Sequence, residues 1–311
     1  MSTTPPSIAV LCGAVSPERE VSLRSGKACA NALLELFPDL SFHVLDENAL
    51  PAFLDPAREI VFPVIHGDYG EDGGVQHDLE SRGFAYVGCD EAASRVCMNK
   101  VATKEKLHAT GVPVAPGAAF SAAEKPDAAA LARALASEDI VLKPADKGSS
   151  VGLRFARGAA DIKAALAEIT AGNWMAEPRI TGREMTIGLL DGAPMGIVEI
   201  VPRAGHYDYT NKYTAGATEY LFPAAVPAAI AATIGESAAR AFAACGCRDF
   251  ARADFILRED GSFIFLEINT MPGLTATSLL PKSASCIGLD FPALCGRMLA
   301  PALRRFKERR L

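Results

Sequence analysis

Asp254 and Glu267 lie on either side of Asp260-Gly261 in the stretch RADFILREDGSFIFLEINT, residues 252–270, where apolar residues alternate before and after that dipeptide. Asp-Gly between two alternating runs is a strong hairpin signal. A two-residue turn there sets Asp254 opposite Glu267 and Arg252 opposite Asn269 on one face, with Ala253, Phe255 and Leu257 against Ile264, Leu266 and Ile268 on the other. Carboxylates facing each other with Cβ atoms about 5 Å apart repel unless a cation lies between them. A donor set of oxygens alone, the Asn269 amide included, suits Mg²⁺ or Mn²⁺ and not zinc. The plainer alternative is a surface ladder in which Arg252 neutralises Asp254.

Other segments carry phosphate and hydroxyl chemistry. Lys143-Pro-Ala-Asp-Lys-Gly148-Ser149-Ser150-Val-Gly152 follows an apolar strand and can fold N–H groups, hydroxyls and the Lys143 charge around phosphates, although it lacks the Walker order. A second Asp-Gly turn, Asp191-Gly192, predicts Glu184 opposite Glu199, a pair suited to a hydroxyl-bearing ligand or to water. Gly13 to Ser22 joins the first strand to the first helix, and His66-Gly67 with Glu71-Asp72-Gly73-Gly74 follows the strand Ile60 to Ile65. Both loops leave the carboxyl ends of strands, where open α/β sheets bind ligands. Glu18 and Glu20 alone are equally well read as first-turn acids, and His66 alone as a structural histidine.

These residues need a scaffold, and 311 residues allow two or three domains. Strand-like and helical runs alternate to about residue 98, then come a smaller α+β block with a helix near 100–110, and from Arg183 two hairpins, an Ala-rich helix near 227–245 and a C-terminal helix. Thirty-one basic against 37 acidic residues give a net charge of −6, which argues against nucleic acid or an anionic membrane as partner. No apolar run is long enough to span a bilayer. The opening residues lack a secretory signal pattern. Eight cysteines without a Cys-x-x-Cys pair or a zinc spacing fit free thiols in a reducing cytoplasm.

The ordered set SPEREVS (16–22), HGDYGEDG (66–73), MNK (98–100), KPADKGSSVG (143–152), YDYTNKY (207–213), RADF (252–255) and LEINTMPGLTATSLLPK (266–282) resembles the D-alanine:D-alanine ligases of the ATP-grasp superfamily over nearly the whole chain. The resemblance implies an ATP-grasp fold of α/β and α+β type. It has an N-terminal open parallel α/β substrate-binding domain (1–98), a small central α+β subdomain (99–182) and a C-terminal mixed-sheet catalytic domain (183–311). It implies ATP as co-substrate and two Mg²⁺ or Mn²⁺ ions on Asp254, Glu267 and Asn269. Lys100 and Lys143 would serve the phosphates, Glu184 the ribose, and Glu177 with the backbone at Ile180 the adenine, with Lys212 also on the nucleotide.

On the amino-acid side the resemblance implies Glu18, with His66 nearby, for the first D-alanine, and a link from Glu18 through Ser149 to Tyr213 on a closing loop within Arg203 to Tyr220. Arg252 and the Gly273 N–H would stabilise the tetrahedral oxyanion, and Ser278, Leu279 and Lys282 would receive the second substrate. A cytoplasmic homodimer is expected on the same ground. Two positions depart from the pattern: Gly13-Ala14 replaces Gly-Gly, and Pro178 replaces a lysine. Competing readings are a relative joining D-alanine to D-lactate, against which Tyr213 argues, and a non-catalytic ATP-grasp nucleotide-binding protein, against which the joint presence of Asp254, Glu267, Asn269, Lys143 and Arg252 argues.

Overall fold

The apolar run after Pro6 forms β1 (Ser7–Gly13), followed by α1 (Arg19–Leu34), β2 (Leu40–Leu45), β3 (Glu59–Val64), α2 (Gly74–Ser81) and β4 (Ala85–Tyr86). The structure is a computed structural model and describes residues 6–148, 151–203, 214 and 216–309. The four strands make a parallel sheet in the order β2-β1-β3-β4. β1 is buried on both faces, as parallel strands require. Its neighbour β3 puts the loops after Gly13 and Val64 side by side. Ala14, in the first of these loops, has φ +64°, a conformation that glycine adopts with less strain.

α3 (Glu91–Met98) and α4 (Lys100–Leu107) come next, and Asn99 caps α4 through bonds from Val101 and Ala102 N–H. The following block is a four-stranded antiparallel sheet, order β5-β8-β6-β7, of β5 (Ala118–Ser121), β6 (Asp139–Pro144), β7 (Arg154–Arg157) and β8 (Asn173–Pro178). α5 (Ala128–Leu135) and α6 (Gly158–Ala167) complete its core with Leu131, Leu135, Ile162 and Leu166.

β9 (Arg183–Leu190), β10 (Ala193–Pro202), β11 (Thr218–Leu221), β12 (Phe250–Leu257) and β13 (Phe263–Asn269) form a five-stranded sheet, order β11-β10-β9-β12-β13. Its ladders are antiparallel, and one parallel bridge joins Val114 to Phe265 on β13. α7 (Ala228–Ala244) covers one face, with Ile234, Ala238 and Ala241 buried. α8 (Leu279–Ser285) packs on β9 and β10 from the other side, and α9 (Phe291–Glu308) returns to the first sheet, where Leu294, Met298 and Phe306 join Ile8, Val10 and Phe62. Among the described residues no helix is long and apolar enough to cross a membrane.

Both hairpins depart from the expected register in part. At the tip of β12–β13, Arg258 N–H donates to Ser262 O, so Glu259, Asp260 and Gly261 make a three-residue loop, with Gly261 at φ +82°. The expected two-residue turn is therefore wrong. A bulge between Asp254 and Phe255 compensates, and Arg252–Asn269 and Asp254–Glu267 pair as expected. Past the bulge Phe255 faces Phe265 and Leu257 faces Phe263, so Phe263 and Phe265 are core while Ile264 and Leu266 are only partly buried on the other face. In β9–β10 the turn lies at Asp191-Gly192, but a bulge between Pro194 and Ile197 sets Glu184 opposite Ile200 and Glu199 opposite the buried Met185. Glu184 and Glu199 thus occupy opposite faces. Glu199 is answered by Arg183, with bonds of 2.9 and 2.6 Å.

Candidate active site

A cavity of about 550 Å³ opens between the central sheet and the five-stranded sheet. Lys143 on β6, Glu177 and Pro178 on β8, Ile180, and Lys100 at the start of α4 line one side; Glu184, Asp254, Ile256, Leu266 and Glu267 line the other. Apolar walls beside a cluster of charges are the usual build of a nucleotide pocket. Glu177 is buried and pairs with both Lys143 and Lys104. With both ammonium groups charged, one carboxylate between them would leave a buried excess of positive charge. Burial, with Lys100 and Lys104 adding repulsion, pushes Lys143 down to about 7, and burial pushes Lys104 down to about 8. A triphosphate would satisfy this excess.

On the strand face, Arg252 Nε and Nη2 donate to the two Asp254 oxygens at 2.9 and 2.7 Å, and Thr186 Oγ1 donates to Oδ1 at 2.5 Å. The expected uncompensated repulsion between Asp254 and Glu267 is therefore relieved on the Asp254 side. Asn269 Oδ1 accepts the Met271 N–H at 2.9 Å, which leaves one lone pair for a further partner. Two carboxylates and an amide oxygen on one face, next to the Lys100 and Lys143 ammonium groups, fit a hard divalent ion accompanied by phosphates. Among the described residues no group of three or more His, Cys, Asp or Glu is arranged as a metal site, so the phosphates would have to complete the coordination.

The loops beyond β1 and β3 assemble a carboxylate pocket. Glu18 stands at the N-cap of α1, and its Oε2 lies against Gly67, where a Cβ would come within 3.0 Å. Ser16 Oγ donates to His66 O at 2.8 Å, and Gly67 N–H donates to Glu71 Oε1 at 3.0 Å. Burial pushes the Glu71 carboxyl up, and the Glu18 charge adds to this. Two carboxylates held together suit an ammonium group. His66 is buried, with Nδ1 3.0 Å from Met271 O and Nε2 3.1 Å from Ser25 Oγ, so it braces the loop that carries Gly273. Ser25 Oγ also accepts Leu274 N–H, at 3.3 Å.

Gly273 lies against the Ser278 hydroxyl, which accepts Thr275 N–H at 3.1 Å, and Ser278 is the N-cap of α8. Leu279 packs on Val198 and Ile200. Lys282 reaches back to Thr277 O and stacks 4.7 Å from the Tyr220 ring on β11. Lys100 Nζ donates to Lys147 O, and Lys147 Nζ donates to both Asp68 oxygens at 3.0 and 2.9 Å, which ties the Gly/Ser loop to the loop after β3.

The structure thus brings Lys100, Lys143, Glu177, Ile180, Glu184, Asp254 and Glu267 to one cavity, with Asn269 in a smaller cavity that shares Lys100 and Glu267. Ser149, Lys212 and Tyr213 lie outside the described residues. Sequence reasoning placed Glu71 in a ligand-binding loop without giving it a role, and it missed Lys104, Thr186 and the Asp68–Lys147 pair. Lys104 alone had a local signal, its spacing of four from Lys100 on one helix face.

The model for the D-ala D-ala ligase C-terminus matches residues 107–300, more than half of the chain. A D-alanine–D-alanine ligase of Anaeromyxobacter dehalogenans is 40% identical over 308 residues, covering 96% of this chain and 98% of its own. The D-alanine–D-alanine ligase of Coxiella burnetii superposes with a TM-score of 0.85 at 28% identity, over 98% of this chain and 96% of its own. The Bacillus anthracis enzyme complexed with ATP superposes at 0.83 and 26% identity, over 98% and 99%. Motif order, cavity chemistry and full-length similarity agree, and the chain belongs to the D-alanine–D-alanine ligase family.

Proposed function

We propose that the cleft joins two D-alanine molecules to D-alanyl-D-alanine with ATP, through a D-alanyl phosphate, in the supply of peptidoglycan precursors. The observation that carries this reading is the convergence of the Asp254–Glu267 face, the Lys100 and Lys143 charges and an apolar wall on one cavity, beside a second pocket built on Glu18 and Glu71. Asp254, Glu267 and Asn269 would hold two Mg²⁺ or Mn²⁺ ions, which supply charge neutralisation for the transferring phosphoryl group. Lys100, Lys143 and Lys212 hold phosphate oxygens in line with the first substrate's carboxylate. Glu184 takes the ribose hydroxyls, and the backbone at Ile180 takes the base. Glu177 acts there as counter-ion to Lys143 and Lys104, so its part in base recognition is indirect.

Glu18 and Glu71 orient the first ammonium group, and Ser149 and Tyr213 close the site over it. Arg252 and the Gly273 N–H stabilise the oxyanion formed when the second amine attacks the acyl carbon. Ser278, Leu279 and Lys282 position the second substrate, and exclusion of water preserves the acyl phosphate until the amine arrives. The three stretches 1–98, 99–182 and 183–311 serve as substrate, nucleotide and catalytic units of a cytoplasmic homodimer.

The test is direct. Purified protein with ATP, Mg²⁺ and D-alanine should release ADP, phosphate and D-alanyl-D-alanine, with L-alanine inert. A dominant ester product when D-lactate is added at neutral pH would overturn the dipeptide reading, and nucleotide binding without phosphate release would mean a non-catalytic protein. Sedimentation decides the dimer.

A further inference from the structure

Phe155 and Val151 are 40% and 50% exposed, and both line the large cavity. Strand register accounts for the phenylalanine. Phe155 on β7 pairs with Val141 on β6, which pairs in turn with Glu177 on β8, and all three line the cavity, so they stand in one row on that side of the central sheet. Their neighbours Leu142, Ala156 and Ala176 point the other way, into the core beneath α5 and α6. Arg179 comes two residues after Glu177 and lines the cavity too. Its N–H donates to Asp139 O at 2.9 Å, which extends the ladder, and its guanidinium lies over the Phe155 ring, 4.9 Å from the centroid. Pro178, just before it, offers neither an N–H nor a charge.

The β6 strand keeps this group apart from the phosphate lysine. Arg179 is bonded at Asp139, and Lys143 stands four residues along the same strand, about 13 Å away in extended chain. The row of Phe155, Val141 and Glu177 lies between them. With a triphosphate held at Lys100 and Lys143, the Arg179 end of the cavity is left for the base.

We propose that Phe155 and Arg179 form a stacking clamp that selects the base of the nucleotide, taking a purine in preference to a pyrimidine. The open phenyl ring offers a stacking surface, faced across the cavity by Ile256 and Leu266. The guanidinium is a flat cation with five donors, suited to ring-nitrogen acceptors at the edge of the base. A purine covers more apolar surface than a pyrimidine and carries an N7 acceptor that a pyrimidine lacks. The inference rests on the ATP reading of this cavity and adds the residues that choose the base.

The full-length protein is titrated calorimetrically with ATP, with CTP and with inorganic triphosphate, each in the presence of Mg²⁺. The parent should prefer ATP to CTP. ATP should bind about tenfold more weakly to Phe155→Ala, or to Phe155→Leu should the first fold poorly. It should bind about fivefold more weakly to Arg179→Ala. Arg179→Lys, which keeps the charge without the flat fork, should recover only part of that loss. The preference for ATP over CTP should narrow in both alanine variants, and triphosphate should bind them as it binds the parent. Undiminished ATP affinity in both variants, an unchanged preference, or an equal loss for triphosphate overturns the clamp. A parent that binds no ATP overturns the clamp and the ATP reading together. The expected binding pattern in a protein that releases no phosphate with D-alanine supports the clamp and counts against the ligase reading instead.

Discussion

Arg252 holds Asp254, two positions along the same strand, by a two-pronged ion pair of 2.9 and 2.7 Å that is almost fully buried. The residue proposed for the oxyanion therefore also neutralises a proposed metal ligand.

Unequal costs follow for the two carboxylates. Asp254→Asn removes the charge from a buried two-pronged ion pair and should lower stability by about 3 kcal/mol. Glu267→Gln, on a half-buried side chain, should cost about 1 kcal/mol or less and still lose nearly all turnover. Urea unfolding of both variants with parallel assays checks this, and equal destabilisation would contradict it.

The metal-dependent part of ligand stabilisation can be read separately. ATP with Mg²⁺ should raise the melting temperature above ATP alone, because only the folded state holds the pair. Glu267→Gln should remove most of that increment and Asn269→Ala part of it. Glu259→Gln, in the exposed hairpin loop, should stay within about 0.5 kcal/mol of the parent and keep the full shift.

Nucleotide binding should take up a proton. Lys143 is pushed down to about 7, so it is largely neutral in the free protein at pH 8, and an adjacent triphosphate favours its ammonium form. Calorimetry at pH 8 in buffers of different ionisation enthalpy should give an uptake that shrinks toward pH 6 and vanishes in Lys143→Arg. Between about pH 7 and the ordinary lysine value of 10.5, the unfolded chain binds more protons at this position than the folded one. The lysine's contribution to stability therefore rises with pH across that window.

The Asp68–Lys147 pair is half-exposed and should act through position more than stability. Lys147→Ala should raise the KM for ATP about two- to threefold at low salt, with less effect near 0.5 M salt. The exchange Asp68→Lys with Lys147→Asp should recover most of the loss.

Gly196 offers a test of how α8 is seated. A Cβ there would lie 2.0 Å from Cys286 Cβ, while Ser283 Oγ donates to Gly196 O at 2.5 Å. Gly196→Ala should cost about 1–3 kcal/mol and raise the KM for D-alanine more than that for ATP, because it displaces the helix that begins at Ser278.

Period-two alternation made β12 and β13 readable, and a run of apolar residues did the same for β1 and β3, because strand faces leave a local trace. The bulges left none. Gly196 is required by Cys286, which is 90 positions distant in the chain, and no nearby pattern predicts that the Glu184–Glu199 pairing fails. Lys104 and Glu177 meet only after β8 has paired with β6. Contacts made by tertiary packing lie outside the reach of spacing arguments, whereas the Asp254–Glu267 pairing held because a longer turn and a bulge displaced it by equal and opposite amounts.

That bulge also changes what one strand can present. In regular β structure successive residues point to opposite faces, so an apolar contact and a charged ligand on the same side must be two residues apart. The extra residue opposite Asp254 and Phe255 lets Leu266 and Glu267, adjacent in sequence, both line the cavity. The passage from apolar wall to carboxylate is compressed into a single peptide unit. The register at that boundary is thus set jointly by the three-residue tip and the bulge, and a change in either one alone would shift it.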